Sequence, residues 1–442
     1  MKMFSSCVLK LTAVCNLDCT YCYVFNLADR VYTRVPPLLS LATALRTLDR
    51  ILEHLEMFEQ REFDLTLHGG EPTMWPLKNF SSLLERVEEI RGRGIKLRVG
   101  MQTNAYRIDH ALLSLLADHK VTIGISLDGP AVSNDRYRVD HAGRGSYQRV
   151  MATISAILEA GYERVIGGFL TVAQPTMEPE VFLDWVRNLP VPRADVLWPI
   201  EFHHGNPPWR AFNFSDYARA PIYGSWFARL FDLWWEQDQP DVYIRHFFQI
   251  IERMLGSRVH GDAIVNDELP MFVVNTDGGI EYPDYFRAYT DGGSRTRFSV
   301  FHNSLDEIMD DPGFSYCLSL SEHLPKECQS CPVVDVCGGG FLPGRLMPSE
   351  WPPLRKSVLC TDQFYFFSHV RNVVGPHIIR LRREACGEPL SSDAPWAFLP
   401  PRPLQALPLH ALHQLDALGK LAIVTACGIG GAPLCGPQHS AE

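Results

Sequence analysis

What the chain lacks narrows its nature first. Between Cys22 and Cys317 there is no cysteine, although the 442 residues hold twelve. A disulfide network would not usually segregate that way. One cluster at Cys15, Cys19 and Cys22 and another at Cys317, Cys328, Cys331, Cys337 and Cys360 point to two separate inorganic sites. No apolar run approaches the roughly 20 residues of a membrane span. Residues 1–10 lack the apolar stretch of a secretory signal, so the chain reads as cytoplasmic, with no membrane partner. Positive charge is not in excess. Lys and Arg number 41 against 51 Asp and Glu, a formal −10, which argues against nucleic acid. Nor is the chain poor in apolar residues: 46% hydrophobic against 21% charged excludes a disordered protein.

The length allows roughly three average domains, or one large α/β barrel with a smaller module. The first half alternates strands and helices. Strands are expected at 8–12, 63–67, 96–101, 121–127, 165–172 and 195–202. Between them run helical patterns such as Leu41, Leu45, Leu48, Leu52 and Leu55 behind Ser40, an N-cap residue. A last helix of this series is expected over 217–235. Six βα units imply a parallel sheet with right-handed crossovers. Six are too few for a closed eightfold barrel, so the expected fold is an open (β/α)6 partial barrel over 1–236, with polar residues at the C-terminal strand ends. A smaller α+β region with Gly-rich turns and the second cysteine cluster follows over 237–375. The stretch 376–442, rich in Pro, Ala and Leu, is expected as an extension, flexible toward its end.

Cys15-Asn-Leu-Asp-Cys19-Thr-Tyr-Cys22 is C-x3-C-x2-C, directly after the first strand. Three thiolates on a short loop can hold three corners of a [4Fe–4S] cube, which normally takes four, leaving one iron open to a small molecule. Zinc would favour a fourth ligand and paired C-x2-C knuckles. With Tyr23 behind it, the loop resembles the signature of radical S-adenosylmethionine (SAM) enzymes. That resemblance implies a partial barrel, a [4Fe–4S] cluster, SAM, and reductive cleavage of SAM to a 5′-deoxyadenosyl radical. Other strand ends fit it. His68-Gly69-Gly70-Glu71-Pro72 resembles the family's GGEP motif, which implies Gly69, Gly70 and Glu71 at the SAM amino group. Gln102-Thr103-Asn104 ends the third strand and Ser126-Leu127-Asp128-Gly129-Pro130 the fourth. By the same resemblance Asn104, Ser126, Arg138, Leu170 and Tyr21 join the cofactor side.

Cys328-Gln-Ser-Cys331 and Cys337 make C-x2-C-x5-C before three glycines, and Cys360 follows 23 residues on. Four Cys can hold a complete second [4Fe–4S] cluster; a zinc ribbon is the alternative. The region resembles a SPASM domain, the auxiliary-cluster module of peptide-modifying radical SAM enzymes. A full module carries two auxiliary clusters. Here the upstream Cys position reads Tyr282-Pro283-Asp284 and the downstream one is Phe341, so one auxiliary cluster is expected. Cys317 is spare, a buried thiol or an alternative ligand. The string around Cys337-Gly-Gly-Gly and Ser357-Val-Leu-Cys360-Thr-Asp is similar to peptide maturases that form cyclophane crosslinks. The resemblance implies a ribosomal precursor peptide as substrate and an electron donor such as flavodoxin or ferredoxin. With no room for a leader-recognition module before Cys15, recognition is expected at the mouth, the second region, the tail or another protein.

Asp284, in place of a cluster ligand, is the expected base for the ring proton lost on crosslinking. His203 and His204 read as substrate contacts. Cys386, Cys427 and Cys435 read as unstructured. Two other readings stand: formylglycine formation in a sulfatase, weakened by the lost upstream Cys, and a non-catalytic iron–sulfur scaffold.

Overall fold

In the computed structural model, residues 3–211, 221–237, 241–256, 268–348 and 350–386 are described. Nine strands form one sheet: β1 (Ser6–Thr12), β2 (Glu62–Gly69), β3 (Lys96–Thr103), β4 (Thr122–Ser126), β5 (Ile166–Val172), β6 (Arg193–Leu197), β7 (Tyr243–Ile244), β8 (Met271–Val274) and β9 (Ile280–Glu281). Their order is β7-β6-β5-β4-β3-β2-β1-β8-β9. Every pair is parallel except the hairpin β8–β9. The longer helices are α1 (Leu41–Met57), α2 (Leu77–Arg91), α3 (His110–Asp118), α4 (Tyr147–Glu159), α5 (Pro179–Arg187), α6 (Ile222–Glu236), α7 (Arg245–Met254) and α8 (Cys360–Cys386). None among the described residues is long and apolar enough to cross a membrane.

A period of two along the strands sets the layers. Cys7, Leu9 and Leu11 of β1, Phe63, Leu65 and Leu67 of β2, and Leu97, Val99 and Met101 of β3 are buried in one apolar core with Leu48 and Leu52 of α1 and Leu83 and Val87 of α2. The alternate residues carry polar groups to the other face, at the C-terminal ends. Lys10 pairs in register with His68, Gln102 with Gly124, and Ser126 with Leu170.

Two departures from the expected elements matter. β6 ends at Leu197, not at 202, because Pro199 has no N–H for the ladder. The sheet also continues past position 236. β8 pairs with β1 from Ser6↔Met271 to Leu9↔Val274, so the first strand is an interior one.

The helix α8 packs on α6. Phe366 lies 5.2 Å from Phe227, ring to ring, and His369 Nε2 is 2.6 Å from Asp232. The cysteine that opens α8 is thereby fixed against the last barrel helix. The expected helix 217–235 is seen from Ile222; Cys386, expected to be unstructured, is the last residue of helix α8; residues 217–220, and the tail beyond 386 with Cys427 and Cys435, lie outside the described residues.

Candidate active site

The Cys15 loop is held by backbone it shares with the Gly-Gly turn. Gly70 N–H donates to Thr12 O (2.9 Å) and Glu71 N–H to Val14 O (2.9 Å). A Cβ on Gly70 would sit 2.1 Å from Val14 O, and one on Gly69 2.5 Å from Thr12 O. Only glycine permits that approach. Cys15 Sγ receives the N–H of Leu17 (3.4 Å) and the Asn104 amide (3.6 Å), and Asn104 also donates to Asn16 Oδ1 (2.7 Å). Burial pushes the Cys15 thiol up to about 12, against the Leu17 N–H. It pushes Cys19 up to about 11, with Arg138 opposing. Each also feels the Cys22 thiol. Three neighbouring, largely enclosed sulfurs, with backbone N–H donors on Cys15 and Cys22, form a donor set that fits an iron–sulfur cluster, whose metal charge would draw them to thiolates.

Around this loop the strand ends form a braced ring. Arg138, buried at 8% exposure, donates to the Tyr21 oxygen (2.8 Å), and Tyr21 O–H donates to Asp128. Asp128 also accepts Val172 N–H (3.0 Å). Gln102 Nε2 donates to Ser126 Oγ (2.8 Å). Asn104, Ser126 and Leu170 stand at or near the ends of β3, β4 and β5, and Tyr21 of the cysteine loop is tied to Arg138, which lies beyond β4.

The Glu71 carboxylate accepts Thr73 N–H (3.1 Å), Thr73 O–H (2.8 Å), Thr103 O–H (2.6 Å) and Asn104 N–H (2.8 Å). Both oxygens are engaged inside the protein, Oε1 three times and Oε2 once, so the side chain braces β2 to β3.

Asp284 departs from its expected part. Lys10 Nζ is 2.7 Å away and Arg287 Nε is at 3.0 Å. Tyr23 O–H donates at 3.1 Å. Arg287 also pairs with Asp29 (2.7 Å) and Glu281. Burial alone would raise the Asp284 pKa, but Lys10, Arg287 and His68 outweigh it and hold the carboxyl well below the usual range. A carboxylate fixed that way is a weak proton acceptor; it is one member of a buried ion network.

The second cysteine cluster surrounds a small cavity of about 30 Å³ lined by Cys328, Cys331, Cys337 and Cys360 together with Gly340 and Gln363. Gly338, Gly339 and Gly340 are all left-handed, at φ 61°, 87° and 84°. A Cβ on Gly340 would meet Gln363 Oε1 at 2.5 Å. Arg345 is fully buried, and its Nε and Nη1 have no protein partner. Its charge acts on the Cys328 thiol, which burial raises to about 11. A buried guanidinium near Cys328, anchored through Nη2 on His323 O and Pro353 O (2.9 Å each), suits the anionic cluster that four thiolates make. Cys317 stays apart, packed in the core with no exposed surface.

Residues 9–186 match the family model of the radical SAM superfamily. This barrel is a radical SAM domain. The chain is 24% identical over 362 residues to a cysteine-type anaerobic sulfatase-maturating enzyme of Clostridium novyi, covering 77% of this chain and 88% of that one. The solved structure of native anSMEcpe with bound AdoMet shares the fold at a TM-score of 0.70 and 20% identity, over 85% of this chain and 98% of that one. Streptococcus suis SuiB, solved bound to the precursor peptide SuiA, matches at a TM-score of 0.51 and 16% identity, over 81% and 76%.

Tyr23 and His68 stood within the motifs, but the motifs did not disclose Lys10 and Arg287, which meet them around Asp284. Lys10 carried a signal, a lone charge in the apolar strand Val8-Leu9-Lys10-Leu11. Arg287 carried none: Glu281 and Asp284 lie close in sequence, but its third partner, Asp29, is 258 positions away.

Proposed function

We propose that the protein is a radical SAM peptide maturase that takes hydrogen from a side-chain carbon of a precursor peptide and closes a crosslink, a C–C bond to an aromatic residue. Cys15, Cys19 and Cys22 hold the SAM-binding cluster; Gly69, Gly70, Tyr21, Asn104, Ser126, Arg138 and Leu170 surround SAM. Cys328, Cys331, Cys337 and Cys360 hold one auxiliary cluster. When bound, cluster and SAM together supply a carbon radical able to take hydrogen from an unactivated C–H bond. The chain's own residues orient them and exclude water: the Gly-Gly turn fixes the cysteine loop, and the Arg138–Tyr21–Asp128 chain fixes one wall. A low-potential donor of the flavodoxin or ferredoxin type delivers the electron.

One observation carries the reading. The second auxiliary cluster's ligand positions are filled by Asp284, locked in ion pairs, and by Phe341, packed edge-on against Tyr285 at 5.9 Å. That wall is built for packing and charge balance, which favours a reaction needing one auxiliary cluster. The named relatives keep sulfatase maturation as the second reading.

The test gives the reconstituted enzyme SAM and dithionite with two probe sets: a sulfatase-type Cys or Ser peptide, and peptides with an aromatic residue within a few positions of a β-methylene side chain. Loss of two hydrogens, with sulfur retained and no aldehyde, is the expected result from the second set. A hydrazide-reactive aldehyde from the first set, and nothing from the second, would establish sulfatase-type maturation instead. No 5′-deoxyadenosine from either would leave a scaffold.

A further inference from the structure

A crosslink removes two hydrogens from the peptide. One leaves as an atom and becomes bonded to the 5′-deoxyadenosyl carbon. The radical left on the side-chain β-carbon bonds to a ring carbon, giving a ring radical. Aromaticity returns when that radical gives one electron to an oxidised iron–sulfur cluster and the C–H at the new bond leaves as a proton. The proton needs an acceptor at the mouth.

The described groups there are mostly engaged. Glu71 accepts four donors. Asp128 takes Tyr21 O–H and Val172 N–H beside the Arg138 charge. Asp284 is bound to Lys10 and Arg287. His203 Nδ1 accepts Gly205 N–H at 3.0 Å, so its proton sits on Nε2 and the ring is a donor toward the mouth.

Glu201 is different. It stands four residues past the end of β6, partly buried. Among the described residues no cation and no other side-chain donor reaches its carboxylate; only its own backbone N–H lies against it. Its neighbour is the buried phenol of Tyr223 on α6, which also feels Asp362 of α8 and Tyr137 beside Arg138. The loop behind Glu201 is fastened to the segment that carries the second cluster. His204 N–H donates to Leu346 O (3.0 Å), and the His204 ring meets Lys356 O (3.1 Å). Asp362, two residues after Cys360, accepts Gly224 N–H at 2.9 Å.

We propose that Glu201 is the catalytic base: its carboxylate takes the ring proton as the electron passes to the cluster of Cys328, Cys331, Cys337 and Cys360. The proposal rests on the crosslinking reading. Proton and electron then leave through the same wall of the mouth, so no large charge separation is left in a low-dielectric site. Burial raises the Glu201 carboxyl above its ordinary value, which makes it a better acceptor than a surface carboxylate.

The test is Glu201→Gln in the reconstituted enzyme, with iron content as the check on folding, and the aromatic-motif peptides deuterated at the β-carbon. Deuterium should still enter 5′-deoxyadenosine, labelled peptide should bind with unchanged anisotropy, and crosslink yield should fall by roughly 10²–10⁴. Undiminished yield overturns the proposal. So does loss of deuterium transfer or of peptide binding, which would make Glu201 structural. A second measurement needs no substrate. The infrared difference between wild type and variant should show the Glu201 carboxyl titrating above an ordinary surface carboxyl, with Tyr223, Asp362 and Tyr137 as the titratable groups around it. Titration at or below the ordinary carboxyl range overturns the proposal even if wild type converts neither peptide set, a result that would sink the crosslinking reading by itself.

Discussion

Lys10, with 3% of its surface exposed, is a cation inside a barrel. It is tolerable there because Asp284 lies 2.7 Å away. Asp284→Asn would strand Lys10, while Arg287 keeps Asp29 and Glu281, and breaking such a buried pair costs about 3–5 kcal/mol. A melting curve should show that loss at neutral pH. The sign with acid follows from the depressed carboxyl. The stabilisation is complete above the unfolded value of about 3.9 and declines only as pH falls below it toward the folded value. The gap in melting temperature between wild type and variant should therefore hold from pH 7 to about pH 4, and a gap already closed at pH 5 would contradict the ion-pair assignment. Glu71→Gln tests the brace. It keeps the shape but weakens four hydrogen bonds to a charged acceptor, each worth roughly 1.5–3 kcal/mol. The first iron site should persist while SAM affinity falls at least tenfold; unchanged affinity would show that the β2–β3 brace does not shape the SAM site. The motif residues were legible because cysteine, Gly-Gly and Ser recur at strand ends. The fate of their side chains was not, since Glu71 bonds residues 32 and 33 positions away.

At the scale of elements, glycines decide where the cysteines stand. Gly70→Ala would put a methyl group 2.1 Å from the carbonyl that precedes Cys15. The variant should lose about four irons and all SAM cleavage, while the second cluster stays. Gly340→Ala should do the reverse, since it strains a left-handed residue packed on Gln363. Iron analysis of the two proteins, side by side, checks both. Retained iron in either variant would break the tie between turn and cluster. Helices α1 to α5 and strands β1 to β5 were readable in the sequence from periodicity alone. The overlong sixth strand was not, because the apolar run continues through Pro199. Strands β7, β8 and β9, of two to four residues, are too short to show a period.

For the whole molecule, the expectation is about eight irons in two cubes. Replacing Cys15, Cys19 and Cys22 by Ala should leave about four, as should replacing the four cysteines of the second site, and Cys317→Ala should leave the count unchanged. About twelve irons in the wild type would reveal a third cluster. The separation of two inorganic sites was visible in cysteine spacing, but not the joint between their domains. Long-range strand pairing has no local signature, so nothing in residues 6–9 announces residues 271–274 as their partners.

That joint has a consequence for the order of events at the ribosome. Tyr23, one residue past the last cysteine of the first loop, hydrogen-bonds to Asp284, 261 positions later. At about 5–20 residues per second, the first strand and its loop wait roughly 13 to 50 s for the segment that completes their wall. Contacts of such separation also form late, after costly loop closure. The oxygen-sensitive part of the enzyme is thus translated early and enclosed last, and metal loading belongs after chain release.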